Sequence, residues 1–130
     1  MKKLIIILLA VMLLTACGQD TEKDQGAVYV NITAEEAKQI MDSEEGYIIL
    51  DVRAQEEYDE SHIPGAILIP HTEIDARAEE VLTDKDQLIL VYCRSGRRSK
   101  EAAEKLVKLG YTNIVEFGGI LDWKGEIVTD

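Results

Sequence analysis

The chain has 130 residues, with 14 Lys and Arg against 25 Asp and Glu and a formal charge of −11. That length predicts one domain. A chain this acidic lacks the broad basic surface that phosphate backbones require, so nucleic acid is excluded as a main partner, and the charge otherwise speaks for solubility.

The N-terminus reads as a targeting segment. Met1-Lys2-Lys3 is a basic start, and Leu4–Leu14 is an unbroken apolar run of about eleven residues, too short for an ordinary membrane-spanning helix and of the right length for a signal peptide. The run ends in Leu14-Thr15-Ala16-Cys17, which resembles the bacterial lipobox, where cleavage precedes a Cys that becomes lipid-modified. This reading divides the chain into a lipoprotein signal peptide at 1–16, a flexible tether at 17–27 and a folded domain at 28–130. It places the domain outside the cytoplasm, anchored to a bacterial membrane through lipid on Cys17. Loss of Lys2 and Lys3 takes the charge from −11 to −13. The two cysteines are Cys17 and Cys93. An even pair in an exported protein suggests a disulfide, but lipid on Cys17 leaves Cys93 a lone thiol exposed to oxidation.

After the polar, aperiodic stretch at 18–27, Val28–Asn31 is a short strand candidate. Thr33-x-x-Glu36 is a capping-box pattern that starts a helix to about Ser43, with Ala37, Ile40 and Met41 on its apolar face. Tyr47–Leu50 reads as a buried strand ending at Asp51. A short acidic helix is expected from Ala54 to about Glu60, a turn at Pro64-Gly65 and a strand at Ala66–Ile69. Thr72-x-x-Asp75 looks like another helix start, with Ile74, Ala78, Val81 and Leu82 facing inward. Leu88–Tyr92 is a wholly apolar strand, and Lys100–Leu109 an amphipathic helix with Ala102, Ala103, Leu106 and Val107 inward and Gly110 as its stop. Ile114–Phe117 is a last strand, and Gly118-Gly119 leads to a turn holding Trp123. Strands alternating with helices predict an α/β domain: a parallel sheet of about five strands flanked by helices on both faces. Asp51 and Cys93 then share the rim at the strands' carboxyl ends, the usual place for a ligand.

Cys93 opens V-Y-C-R-S-G-R-R-S at a strand-to-helix junction. Backbone N–H groups between Arg94 and Arg98 can curl around the sulfur, with Gly96 free to take positive φ. The following helix adds its positive end, and Arg94, Arg97 and Arg98 add full charges. All of these favour thiolate over thiol, which makes Cys93 a nucleophile candidate rather than a small buried hydrophobe.

Three segments together resemble the rhodanese-like domains, or sulfurtransferases: Asp51-Val52-Arg53 through Ser61-His62-Ile63-Pro64-Gly65-Ala66, the loop Tyr92–Ser99, and Gly118-Gly119 followed by Trp123. The resemblance spans roughly residues 28–130. It departs from the family at Ser61, where Gly is usual, and in a shorter C-terminal end. It implies that the Cys93 thiolate takes the outer sulfur of a small anionic donor such as thiosulfate, forms a persulfide, and passes the sulfur to cyanide or a thiol. It implies that Ser95, Gly96, Arg97 and Arg98 supply the backbone cradle, that Arg98 turns inward to pair with Asp51, and that Asp51 and Ser99 support the loop. Arg94 and Arg97 remain for the donor's sulfonate charge. No cofactor is implied, and an isolated domain of this kind can be monomeric.

His62 belongs to a turn in that family, so it reads as structural rather than as a base beside the thiol, and His71 reads as a loop residue. Glu57 and Trp123 read as structural. Two His and one free Cys give no metal spacing. Two other functions compete. Cysteine phosphatases use C-x5-R, whereas Cys93 to Arg98 is C-x4-R, a smaller cradle for a phosphoryl group that needs room for three oxygens. A thiol-redox or persulfide-sensing or binding module would keep the same loop without transferring sulfur.

Overall fold

The computed structural model describes residues 28–129. The expected signal peptide, Cys17 and tether lie outside the described residues. Within them the elements run β1 (Val30–Asn31), α1 (Ala34–Ser43), β2 (Ile48–Asp51), α2 (Gln55–Glu60), β3 (Ile67–Leu68), a 3-10 turn (His71–Glu73), α3 (Ile74–Val81), β4 (Ile89–Cys93), α4 (Arg97–Lys108), β5 (Ile114–Gly119) and a last 3-10 turn (Ile120–Asp122). The five strands form one sheet in the order β1-β5-β4-β2-β3, every pair parallel. This is the expected architecture.

Alternation along the strands separates two cores. Ile89, Val91 and Cys93 of β4 face Ala102, Ala103 and Leu106 of α4 and Ile74 and Ala78 of α3. Leu90 and Tyr92 face the opposite layer, with Ala34 and Ala37 of α1, Val115 and Phe117. All five residues of β4 are buried, as the central strand of a doubly covered sheet must be.

Because all strands run the same way, Asn31, Asp51, Leu68, Cys93 and Gly119 end on one rim. Asp51 pairs in register with Tyr92, and Val91 with Glu116. The next β4–β5 pair is Cys93 with Gly119, so β5 takes three steps where β4 takes two. Gly118 absorbs the extra residue at φ +89°, a conformation that costs glycine little.

The Thr33–Glu36 capping box forms as expected. The Thr72–Asp75 pattern does not cap a helix: the chain turns through His71–Glu73, with Glu73 N–H donating to Pro70 O, and α3 starts at Ile74 without a side-chain cap. The helix after Cys93 begins at Arg97, three residues before the expected Lys100. The C-terminal segment folds back, pairing Val128 with His62 and setting Trp123 against Phe117.

Candidate active site

The chain leaves β4 at Cys93 and turns through Arg94-Ser95-Gly96 into α4. Gly96 is the N-cap of that helix at φ +120°, with no side chain to cap it. The sulfur takes the place of a cap: Gly96 N–H donates to Cys93 Sγ at 3.0 Å. The first-turn N–H groups of a helix lack intrahelical partners and carry its positive end, so Sγ sits where a negative charge is favoured. Ser99, in the first turn of α4, places its Oγ 3.5 Å from Sγ.

Gly119 makes the loop possible. A Cβ there would lie 1.9 Å from Arg94 O and 2.5 Å from Ser95 N. Only a glycine lets β5 pass this close beneath the peptide after Cys93. Leu121 N–H then ties Arg94 O down at 3.2 Å.

The expected Arg98–Asp51 pair is not formed. Arg98 instead reaches α2 and makes a two-pronged pair with Glu57, Nη1 to Oε1 at 2.7 Å and Nη2 to Oε2 at 3.1 Å. Glu57 also accepts from Ala54 N–H at the start of α2. The Arg98 bond is the main cause that holds the Glu57 carboxyl at about 2. Glu57 in turn raises Arg98 above the ordinary arginine value, with the charges of Cys93 and Asp51 contributing. Arg98 thus stands as a cation fixed in the first turn of α4, the helix whose start meets the sulfur.

Asp51 has no room for Arg98. Its two oxygens are taken by Arg53, through Nε at 3.0 and 3.1 Å, Nη2 at 2.7 Å and the backbone N–H at 2.9 Å, and by Tyr92 O–H at 2.6 Å. Arg53 lies two residues along the same chain and folds back onto the carboxylate, occupying the face that Arg98 would need. Its Nη2 also donates to Ser61 O at 2.6 Å, and Tyr92 Oη accepts from Ile63 N–H at 3.1 Å. Burial, then the Asp51 charge, keeps the Tyr92 phenol far above its ordinary range, so it stays a donor. Asp51 therefore bears on the loop through Tyr92, the residue before Cys93, and Asp51, Arg53, Tyr92 and the backbone of Ser61 and Ile63 form one hydrogen-bonded tie.

Arg94, Ser95 and Arg97 are exposed at the rim, with Arg97 3.6 Å from Glu101. His62 is buried, its ring stacked 3.8 Å from that of Tyr58 and its Nδ1 2.8 Å from Tyr58 O. His71 opens the 3-10 turn, its Nδ1 3.7 Å from Glu101. Cys93 is 1% exposed. A cleft of about 710 Å³ lies against Ser95, Gly96 and Gly118 of the loop, bordered by Lys38 and Lys100, and Cys93 does not line it.

Residues that sequence reasoning passed over are Arg53, Tyr92, Glu116 and the partnership of Glu57. Glu116 carried a visible signal: a carboxylate at an inward position of the apolar run Ile114–Phe117.

The sequence profile of the rhodanese-like domain matches residues 33–126. The chain belongs to the rhodanese-like domain family. It is similar to YrkF of Bacillus subtilis (strain 168), whose name includes "sulfur carrier protein", with 38% identity over 110 residues, 84% of this chain. The match spans 58% of YrkF's length. It is also similar to thiosulfate sulfurtransferase PspE of Escherichia coli (strain K12), with 41% identity over 73 residues, 56% of this chain and 70% of that one. Among solved structures, a rhodanese with anions from E. coli superposes with a TM-score of 0.61 at 37% identity, covering 65% of this chain and 99% of that one. In this rhodanese-like domain Asp51 and Arg53 make the buried tie, Gly96 donates its N–H to the sulfur, and Gly119 admits the loop.

Proposed function

We propose that this rhodanese-like domain is a sulfurtransferase that carries sulfane sulfur on Cys93. The observation that carries the reading is the sulfur at the N-terminus of α4, with Gly96 N–H upon it and Arg98 fixed in the helix's first turn by Glu57. The Cys93 thiolate attacks the outer sulfur of thiosulfate. The new S–S bond forms as the donor's S–S bond breaks, and the electron pair leaves with sulfite. Helix and backbone dipoles accommodate the charge of the resulting persulfide. A thiolate or cyanide then attacks the outer sulfur, and Cys93 departs as thiolate. Arg94 and Arg97 at the rim meet the donor's sulfonate. The near-complete burial of Cys93 supports transfer of a single sulfur atom over attack on a phosphoryl group with its three oxygens.

The same reading sets the domain outside the cytoplasm on lipid attached to Cys17. Support comes from the apolar run that ends at Leu14-Thr15-Ala16-Cys17.

The test is thiocyanate formation from thiosulfate and cyanide by the purified protein. Turnover that disappears in Cys93→Ser is expected. Absence of turnover with thiosulfate and other sulfane donors, while Cys93 remains alkylatable, favours a redox or binding module instead. For the anchor, cells fed labelled palmitate are expected to label the protein and not Cys17→Ala; an unlabelled protein in the soluble extracytoplasmic fraction contradicts the anchor.

A further inference from the structure

Glu116 is fully buried against the Cys93 loop and has no part in the chemistry above. Asp51, the other carboxylate buried at this rim, is neutralised by Arg53. Glu116 is held by uncharged donors: Asn31 Nδ2 to Oε1 at 2.5 Å, and Ser99 Oγ at 2.5 Å and Gly118 N–H at 2.9 Å to Oε2. No ion pair among the described residues includes it. A surround of donors suits a carboxylate, which can only accept.

The consequence falls on Ser99. Its oxygen also lies 3.0 Å from Gly96 O, 3.3 Å from Gly118 O and 3.5 Å from Cys93 Sγ. A hydroxyl has one proton. The charged acceptor at the shortest distance takes it, because a hydrogen bond to an ionised group is the stronger one. Ser99 Oγ then faces the sulfur with lone pairs, which can accept from a thiol S–H and can offer nothing to a thiolate.

We infer that Glu116 is a positioning residue that turns the Ser99 hydroxyl away from Cys93 and, with its own buried charge, opposes the thiolate that the loop otherwise favours. The remaining charges around Cys93 are Arg98 of α4, bound to Glu57 of α2; Asp51 of β2, bound to Arg53; and the exposed Arg94 and Arg97. Gly96 N–H, the α4 N-terminus and Arg98 favour the thiolate, and Glu116 from β5 works against them. A thiolate held in this way is a better nucleophile and a poorer leaving group than one that forms more easily. For sulfur transfer, which rests on the reading above, Glu116 therefore speeds loading per thiolate and slows discharge.

The test is Glu116→Gln in the purified full-length protein. Gln keeps the bonds to the side chain: its Oε1 can accept from Ser99 and Gly118, and its Nε2 can donate to Asn31 Oδ1 once that exposed amide turns over, at the cost only of the long 3.5 Å bond from Asn31 Nδ2 to Glu116 O. Ultraviolet thiolate absorbance and the iodoacetamide rate are followed against pH, with Cys93→Ser as the blank that also removes any signal from Cys17. The pH at which Cys93 thiolate half-develops is expected to fall by about one unit in Glu116→Gln, the effect of losing one close like charge. No change assigns Glu116 a purely structural role, and a rise makes it the acceptor of the thiol proton; either overturns the inference. Ser99→Ala gives a second reading that does not need the Gln protein to fold. Its midpoint is not expected to rise, whereas a rise shows that Ser99 donates to the thiolate and contradicts the inference. Neither measurement requires sulfur transfer. A shifted titration in a protein that thiosulfate cannot load would retire the sulfurtransferase reading alone, and loading with an unshifted titration would retire this one alone.

Discussion

Gly119→Ala isolates the close approach on which the loop depends. Gly119 has φ −145° and ψ 167°, so alanine brings no backbone strain and the effect is steric. The new Cβ would meet Arg94 O at 1.9 Å, Arg94 C at 2.2 Å and Ser95 N at 2.5 Å, where real Cβ contacts stay beyond 3.0 Å. All three atoms are backbone, fixed between β4 and α4, so relief requires β5 and the loop to part by roughly 1 Å. Overpacking of this kind costs about 3 kcal/mol or more. For a domain of this size that is a fall in Tm of about 10–20 °C. Gly118→Ala is the control: its Cβ meets nothing within 4 Å, but φ is +89°, so the cost is about 1–2 kcal/mol of left-handed strain. Urea unfolding gives both stabilities, and the alkylation rate of Cys93 reports the loop. We expect Gly119→Ala to be the more damaging and to slow alkylation markedly. A Gly119→Ala protein within about 1 kcal/mol of the parent, or less affected than Gly118→Ala, would refute the argument.

Two further predictions concern the charged ties. The folded pKa of Glu57 is lowered from 4.5 to about 2, so its contribution is fully present above 4.5 and is lost as pH falls from there through about 2. After allowance for partial exposure, its side chain being 26% exposed, the contribution is of order 2 kcal/mol; urea unfolding against pH should show Glu57→Gln with a shallower loss of stability over that window, and parallel curves would contradict the assignment. Arg53→Met leaves Asp51 buried with its counter-charge gone and should cost about 3–5 kcal/mol; a loss under about 1 kcal/mol by the same assay would mean that Tyr92 alone suffices.

What could be read in the sequence was local. The capping box at Thr33 and Glu36 needs three residues of separation, and the alternation of apolar runs with amphipathic stretches is enough to predict a parallel sheet. Cys93 stood out because an apolar strand ends there and a glycine and three arginines follow. The start of α4 was missed because Gly96 brings no polar side chain and the cap is a sulfur three residues back. The partner of Arg98 was missed for a different reason. Glu57 lies 41 residues away, and only the folded positions of the two helices bring it within reach of Arg98. Arg53 occupies Asp51 locally, a contact that the spacing Asp-x-Arg allows but does not distinguish from a solvated pair. Glu116 was legible as a carboxylate at an inward position of an apolar run, but its partners were not, because the bulge at Gly118 just beyond it decides which loop groups it meets.

The central claim is that Cys93 carries the transferred sulfur. Intact mass of the purified protein after thiosulfate tests it most directly, with Cys93→Ser alongside. A gain of about 32 Da, reversed by an added thiol and absent in Cys93→Ser, is the result expected of an activated sulfur nucleophile. No gain with thiosulfate or any other sulfane donor, in a protein whose Cys93 still alkylates, would contradict it.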